Sequence, residues 1–118
     1  MNIIETDKAP KAIGPYSQAV RAGDFIYTSG QIPLDPVTGE VSGSNIEEQT
    51  CRVMKNLEAV LAAGGASFND VVETLIFCTN LDHFSVINDV YGGIMKEHKP
   101  ARSTVQVSAL PKGVMVEI

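Results

Sequence analysis

A chain of 118 residues is long enough for one hydrophobic core and too short for two, so residues 1–118 read as a single domain. Fourteen acidic residues against nine basic ones leave a net charge of −5, with no run of Lys or Arg that could follow a phosphate backbone, which argues against nucleic acid as a partner. The N-terminus lacks a basic segment followed by an apolar stretch, and no apolar run approaches the length that spans a bilayer, so we expect a cytoplasmic protein with no membrane partner, or an organellar one whose presequence has been removed.

Ile3-Ile4 can begin a short strand. Ala9 to Tyr16 is a loop stiffened by Pro10, Gly14 and Pro15, because proline fixes its own φ and drives the residue before it into an extended conformation. Tyr16 leaves that loop either as a core plug with a satisfied hydroxyl or as a pocket wall. Ser17–Arg21 and Phe25–Ser29 flank Gly23-Asp24 and read as a tight hairpin. Gly30, after Ser29, is either a plain strand exit or a place where a ligand meets the main chain. Pro33 to Gly39 is dense in turn residues and predicts a surface loop.

Ser44 and Glu47 have the spacing of a capping box, and the apolar residues Ile46, Val53, Met54, Leu57, Val60 and Leu61 recur at the helical period. Glu47, Glu48, Arg52, Lys55 and Glu58 read as the solvated side of that helix, which Gly64-Gly65 ends after about five turns. Val71–Thr79 is apolar on both faces and predicts a strand covered on both sides. Phe84, Ile87, Tyr91, Ile94 and Met95 form the stripe of a second helix that reaches to about His98, with Phe84, Tyr91 and Met95 read as core. Cys51 falls in the first helix and Cys78 in the strand. They form no CxxC or Cys/His cluster and read as small buried apolar groups in a reducing compartment, with a disulfide between them left open.

Pro100-Ala101-Arg102-Ser103-Thr104-Val105-Gln106-Val107 alternates as a half-buried strand, with Arg102, Thr104 and Gln106 on one side. The planar fork of Arg102 matches two carboxylate oxygens at once; the competing reading is a structural ion pair. Val114, Val116 and Ile118 alternate in a last strand after the Leu110–Gly113 turn. Pairing these two strands antiparallel sets Val105 opposite Val116 and places Thr104 beside Glu117, with Arg102 diagonal to Glu117 at roughly 7–8 Å. Arg, hydroxyl and carboxylate would then share the face of the sheet that the helices leave open. His83 and His98 have no partners at metal-ligand spacing, no phosphate-binding glycine motif is present, and no lysine stands out for a Schiff base. Clamping a small acid and positioning water is the chemistry these residues suggest, with no metal and no cofactor. The order of elements argues for an α+β fold with helices on one face of a mixed sheet, and a half-apolar open face that another copy of the chain would cover.

Four blocks, Ala12–Ala19, Ile26–Gln31, Pro100–Ser103 and Leu110–Gly113 with Val116–Ile118, occur in order along nearly the whole chain. In these blocks the sequence resembles the reactive intermediate deaminases, the RidA/YjgF group. The resemblance implies a chorismate-mutase-like α+β subunit, a mixed sheet with two helices packed on one face, assembled as a homotrimer with sites in the clefts between subunits. It implies hydrolysis of 2-enamine/2-imino acids, released by pyridoxal-phosphate enzymes such as threonine or serine dehydratase, to 2-oxo acids and ammonia, without a cofactor. Carried onto this chain, Arg102 holds the substrate carboxylate, Glu117 orients water and Tyr16 lines and closes the pocket. Ser29, Gly30 and Asn88 contribute contacts, and Thr104 stands where many members carry Cys. The family's last strand usually continues for several residues, whereas Glu117 is penultimate here. Alternatives are a non-catalytic module that senses a small carboxylate in the same cleft, a ribonuclease, which the acidic balance opposes, and a chorismate-mutase-type reaction, which would demand more cations.

Overall fold

Gly23 adopts a φ of +60°, closing the two-residue turn between β2 (Ala19–Ala22) and β3 (Phe25–Thr28) in the computed structural model, which describes residues 1–118. β1 (Asn2–Ile4) pairs antiparallel with β2, completing the meander β1-β2-β3.

Helix α1 spans Ile46–Ala63, one residue later at its start than the Ser44/Glu47 spacing predicts. Asn45 is the cap: its side-chain oxygen accepts from the Glu48 amide at 2.9 Å, and Ser44 Oγ donates to Glu48 Oε1 at 3.3 Å, so the paired acid is Glu48. Gly64 ends the helix and Gly65 follows at φ +79°. The buried face of α1 carries three polar residues, Gln49, Thr50 and Asn56, beside the expected apolar ones. Arg52 is not wholly solvated; it donates to Asn56 Oδ1 at 2.9 and 3.1 Å.

β4 (Glu73–Cys78), α2 (Phe84–Met95) and β5 (Ala101–Gln106) form a parallel strand–helix–strand unit in register from Glu73 opposite Ala101 to Cys78 opposite Gln106. Gly92 and Gly93 fit inside α2, where an added Cβ at either would meet nothing within 4 Å. β6 (Val116–Glu117) pairs antiparallel with the other edge of β4, Phe77 opposite Glu117 and Cys78 opposite Val116. The order is therefore β5-β4-β6, and the expected hairpin of the last two strands does not form. A 3-10 turn at Pro111–Gly113, with Lys112 at φ +57° and Gly113 at φ +67°, lies in the connection that carries the chain past β4. β4 takes the central place with Ile76 and Cys78 buried under the helices, but it is not covered on both sides as its apolar run suggests, because the helices leave its other face open and Leu75 is 49% exposed there.

Reciprocal backbone bonds between Gln31 and Ile118, 2.8 and 3.1 Å long, tie the segment after β3 to the end of β6 and join the two three-stranded sheets. Both helices lie on one face. Between them and the sheet sits the main core, where Val53, Ile76, Ile87 and Val116 are fully buried, each contributing about 1.5–3 kcal/mol. A smaller cluster of Ile4, Ala9, Ala19 and Val60 seats the meander on α1. Leu34 is buried, so the Pro33–Gly39 loop is not wholly at the surface. Both cysteines are free, and only Cys78 is fully buried. No helix is long and apolar enough to cross a membrane.

Candidate active site

The register of β4 decides where the expected site residues go. Thr74, Ile76 and Cys78 point toward the helices: Ile76 and Cys78 are buried, and Thr74 Oγ1 lies 2.8 Å from the Tyr91 hydroxyl of α2. Their parallel partners Arg102, Thr104 and Gln106 share that face. Phe77 points the other way and its partner Glu117 goes with it. Arg102 and Thr104 are thus on the helix side of the sheet, whereas Glu117 is on the open side, and the expected common face for the three does not exist within one chain. The cause is β4 itself, which stands between the strands that the sequence suggests are neighbours.

The helix-side group is built from β5 and α2. Phe84, Asn88 and Tyr91 recur at i, i+4 and i+7 and face the strand together. The Arg102 guanidinium carbon lies 5.2 Å from the Tyr91 ring centroid and 5.6 Å from that of Phe84. Such stacking contributes about 0.5–2 kcal/mol and leaves the edge of the fork free. No side chain or carbonyl of the chain occupies its donors. Two residues along the same face, Thr104 Oγ1 is buried without a hydrogen-bond partner, and so is Asn88 Oδ1 on α2. Unpaired buried polar atoms are costly, and two of them beside a free guanidinium mark a place shaped for a polar ligand.

The second group forms where β3 ends against β6. An added Cβ on Gly30 would lie 2.5 Å from Glu117 Oε2 and 2.8 Å from its carboxyl carbon, so the carboxylate rests against bare backbone that only glycine leaves open. Burial pushes the Glu117 carboxyl above the ordinary carboxylate range. Ser29 donates its hydroxyl to the Ser17 carbonyl at 2.6 Å and its amide to the Gln18 carbonyl at 2.9 Å, drawing the Tyr16–Ser17 segment alongside. Tyr16 is more than half exposed, and its hydroxyl accepts from the Ile13 amide at 3.3 Å. Beside Glu117, a cleft of about 770 Å³ separates β3 from β4. β6 covers only the Phe77–Cys78 end of the β4 edge, so this cleft is a gap between unpaired strand edges and contains none of Arg102, Thr104 or Asn88.

The sequence suggests core roles for Phe84 and Tyr91. Tyr91 is buried, but Phe84 is 40% exposed, and both rings stack against Arg102. Their seven-residue spacing facing a strand arginine is the signal that could have found them.

A family model described as Endoribonuclease L-PSP matches residues 6–118. The chain belongs to this family, the RidA/YjgF group. A RutC family protein of Pyrococcus abyssi is 51% identical over 116 residues, covering 98% of this chain and 91% of the relative. TdcF of Escherichia coli, a candidate reactive intermediate deaminase, is 44% identical, covering 98% of this chain and 92% of its own. A crystal structure of E. coli TdcF with bound serine superimposes with a TM-score of 0.94 at 43% identity, covering 99% and 94% of the two chains. RidA from an Antarctic Psychrobacter gives a TM-score of 0.95 at 45% identity, covering 99% and 94%. The RidA-like fold expected from the motifs is the one observed.

Proposed function

We propose that the protein hydrolyses 2-enamine/2-imino acids to 2-oxo acids and ammonia, in clefts that need two copies of the chain. The observation that carries this reading is the Arg102 fork, stacked on Phe84 and Tyr91, free of any partner and flanked by the unpaired Thr104 and Asn88 oxygens. A 2-imino acid offers what those groups lack: a carboxylate for the fork and the hydroxyl, and an N–H for the amide oxygen. Similarity to TdcF supports the deaminase class.

In this reading Arg102 fixes the carboxylate and so the neighbouring imine carbon. Glu117 of an adjacent copy accepts a proton from water as the water oxygen bonds to that carbon. It hands that proton to the nitrogen, giving a carbinolamine; it then takes the carbinolamine's hydroxyl proton and passes it to the nitrogen as the C–N bond breaks, so ammonia leaves and the C=O of the 2-oxo acid remains. A carboxyl held above its ordinary range by burial is a stronger base than a free one, which suits taking a proton from water. Tyr16 closes the cleft. Opposite faces for Arg102 and Glu117 make a site within one chain unworkable. The exposed apolar residues Leu75 and Val105, on the same open face as Glu117, support cover by further copies in a homotrimer.

The test adds purified protein to a threonine or serine dehydratase reaction. Release of 2-oxo acid is expected to accelerate. Arg102→Ala should lower that acceleration at least about 30-fold, the loss that follows from removing one partner of a desolvated charge pair. Tight 2-oxo acid binding without acceleration would favour the sensor instead.

A further inference from the structure

We infer that Gln18 is the positioning residue of the Tyr16 loop, an inference that rests on the reading in which Tyr16 closes the cleft. Gln18, the residue before β2, is buried, 4% exposed, and its carboxamide is bonded to one short stretch of chain. Its Oε1 accepts from the Thr6 amide at 2.6 Å, and its Nε2 donates to the carbonyls of Thr6 at 3.0 Å, Ala9 at 3.2 Å and Pro10 at 2.8 Å. Those bonds end at Pro10. The next fixed point is Ser17, whose carbonyl accepts from Ser29 Oγ. Lys11–Tyr16 is therefore an arch with one foot on the Gln18 side chain and the other on Ser29. Within it the ties belong to Tyr16: its amide donates to the Gly14 carbonyl at 2.9 Å and its hydroxyl receives the Ile13 amide. Its residues are largely exposed, so no packing against the core substitutes for the two feet.

Loosening the first foot should leave the helices intact and let Tyr16 wander. A displacement of about 1 Å in a group that shapes a cleft is enough to cost up to about 100-fold. Gln18→Leu keeps the bulk and removes all four bonds; Gln18→Glu keeps the acceptor for Thr6 and loses the donors to the three carbonyls. For either variant, hydrogen exchange at the Ile13 and Tyr16 amides is expected to speed at least about tenfold while amides inside α1 keep their protection, and trypsin should cut after Lys11 faster. KM for the imine should rise about tenfold with kcat within about threefold, because closure of the cleft is lost and the water-orienting carboxylate is not. Ser29→Ala should loosen the second foot, and Ser29→Thr, which retains the hydroxyl, should restore it. Arch amides as protected as in the wild type would overturn the inference, and so would a freed arch with KM unmoved in an active protein. If Gln18→Leu does not fold, Gln18→Glu is read in the same way. If the protein proves not to be a deaminase, the exchange and cleavage results still decide whether Gln18 holds the arch.

Discussion

Mixed assembly of two inactive variants gives the sharpest prediction. Within one chain the Arg102 guanidinium projects toward α2 while the Glu117 carboxylate lies on the other side of the sheet over Gly30, with β4 between their strands. The proposed reaction therefore calls for clefts that draw the arginine from one copy and the glutamate from another. Arg102→Ala and Glu117→Gln should each be nearly inactive alone. When the two are denatured, mixed in equal amounts and refolded, a cleft is intact only if its arginine side comes from the Glu117→Gln chain and its glutamate side from the Arg102→Ala chain. Each condition holds in half of random assemblies, so about one quarter of the wild-type activity should return. The assay is 2-oxo acid release in a coupled dehydratase reaction, with each variant refolded alone as control and light scattering to report the mass of the assembly. Activity no higher than the average of the two controls would refute the shared cleft.

Two further outcomes concern Glu117. Its pKa is raised in the fold by burial, so the native state holds this proton more tightly than the unfolded chain does; its contribution to stability is fully present below the unfolded value of about 4.3 and is lost as pH rises through the folded value. Glu117→Gln should therefore be more stable than wild type at pH 7 and indistinguishable from it near pH 3.5, read from urea midpoints at fixed protein concentration. Gly30→Ala puts a methyl group where the carboxylate rests, and should move Glu117 enough to lower kcat about 10- to 100-fold while leaving 2-oxo acid affinity, assigned to Arg102 in the proposed reaction, within a few-fold by calorimetry.

Local signals were enough for most elements. The Gly23-Asp24 turn, the α1 stripe and its Gly64 stop, and the position of β4 are each written in a few consecutive residues and appear where expected, whereas the cover expected on both faces of β4 is present on one. Strand order was not legible, because Val105/Val116 pairing satisfies the alternation of β5 and β6 as well as the true arrangement does. Only the competition of a third strand decides between them, and that is a long-range property. The same limit hid the buried polar face of α1. Gln49 accepts from the Met115 amide at 2.8 Å and Asn56 donates to the carbonyls of Ile32 and Leu34, contacts made with segments far along the chain that no helical period reveals.

Keeping a lone guanidinium ready for a substrate is difficult in a chain with an excess of acidic residues, since any nearby carboxylate would occupy it. Two features of this fold prevent that. The first is the mode of support. Phe84 and Tyr91 hold Arg102 through their ring faces, which fix the plane of the fork without using its N–H donors, whereas an ion pair would saturate those donors and compete with the ligand. The second is the register across β4, which sends Glu117 to the opposite face. A fold that put both charges on one face, as the hairpin alternative would, could close an Arg102–Glu117 salt bridge in the isolated chain, lowering the carboxyl's pKa and filling the clamp together. Burial without a cationic neighbour instead leaves the carboxyl raised and the fork open. Separation of the two charges within each chain is thus what the proposed site, joining them only across an interface, physically requires.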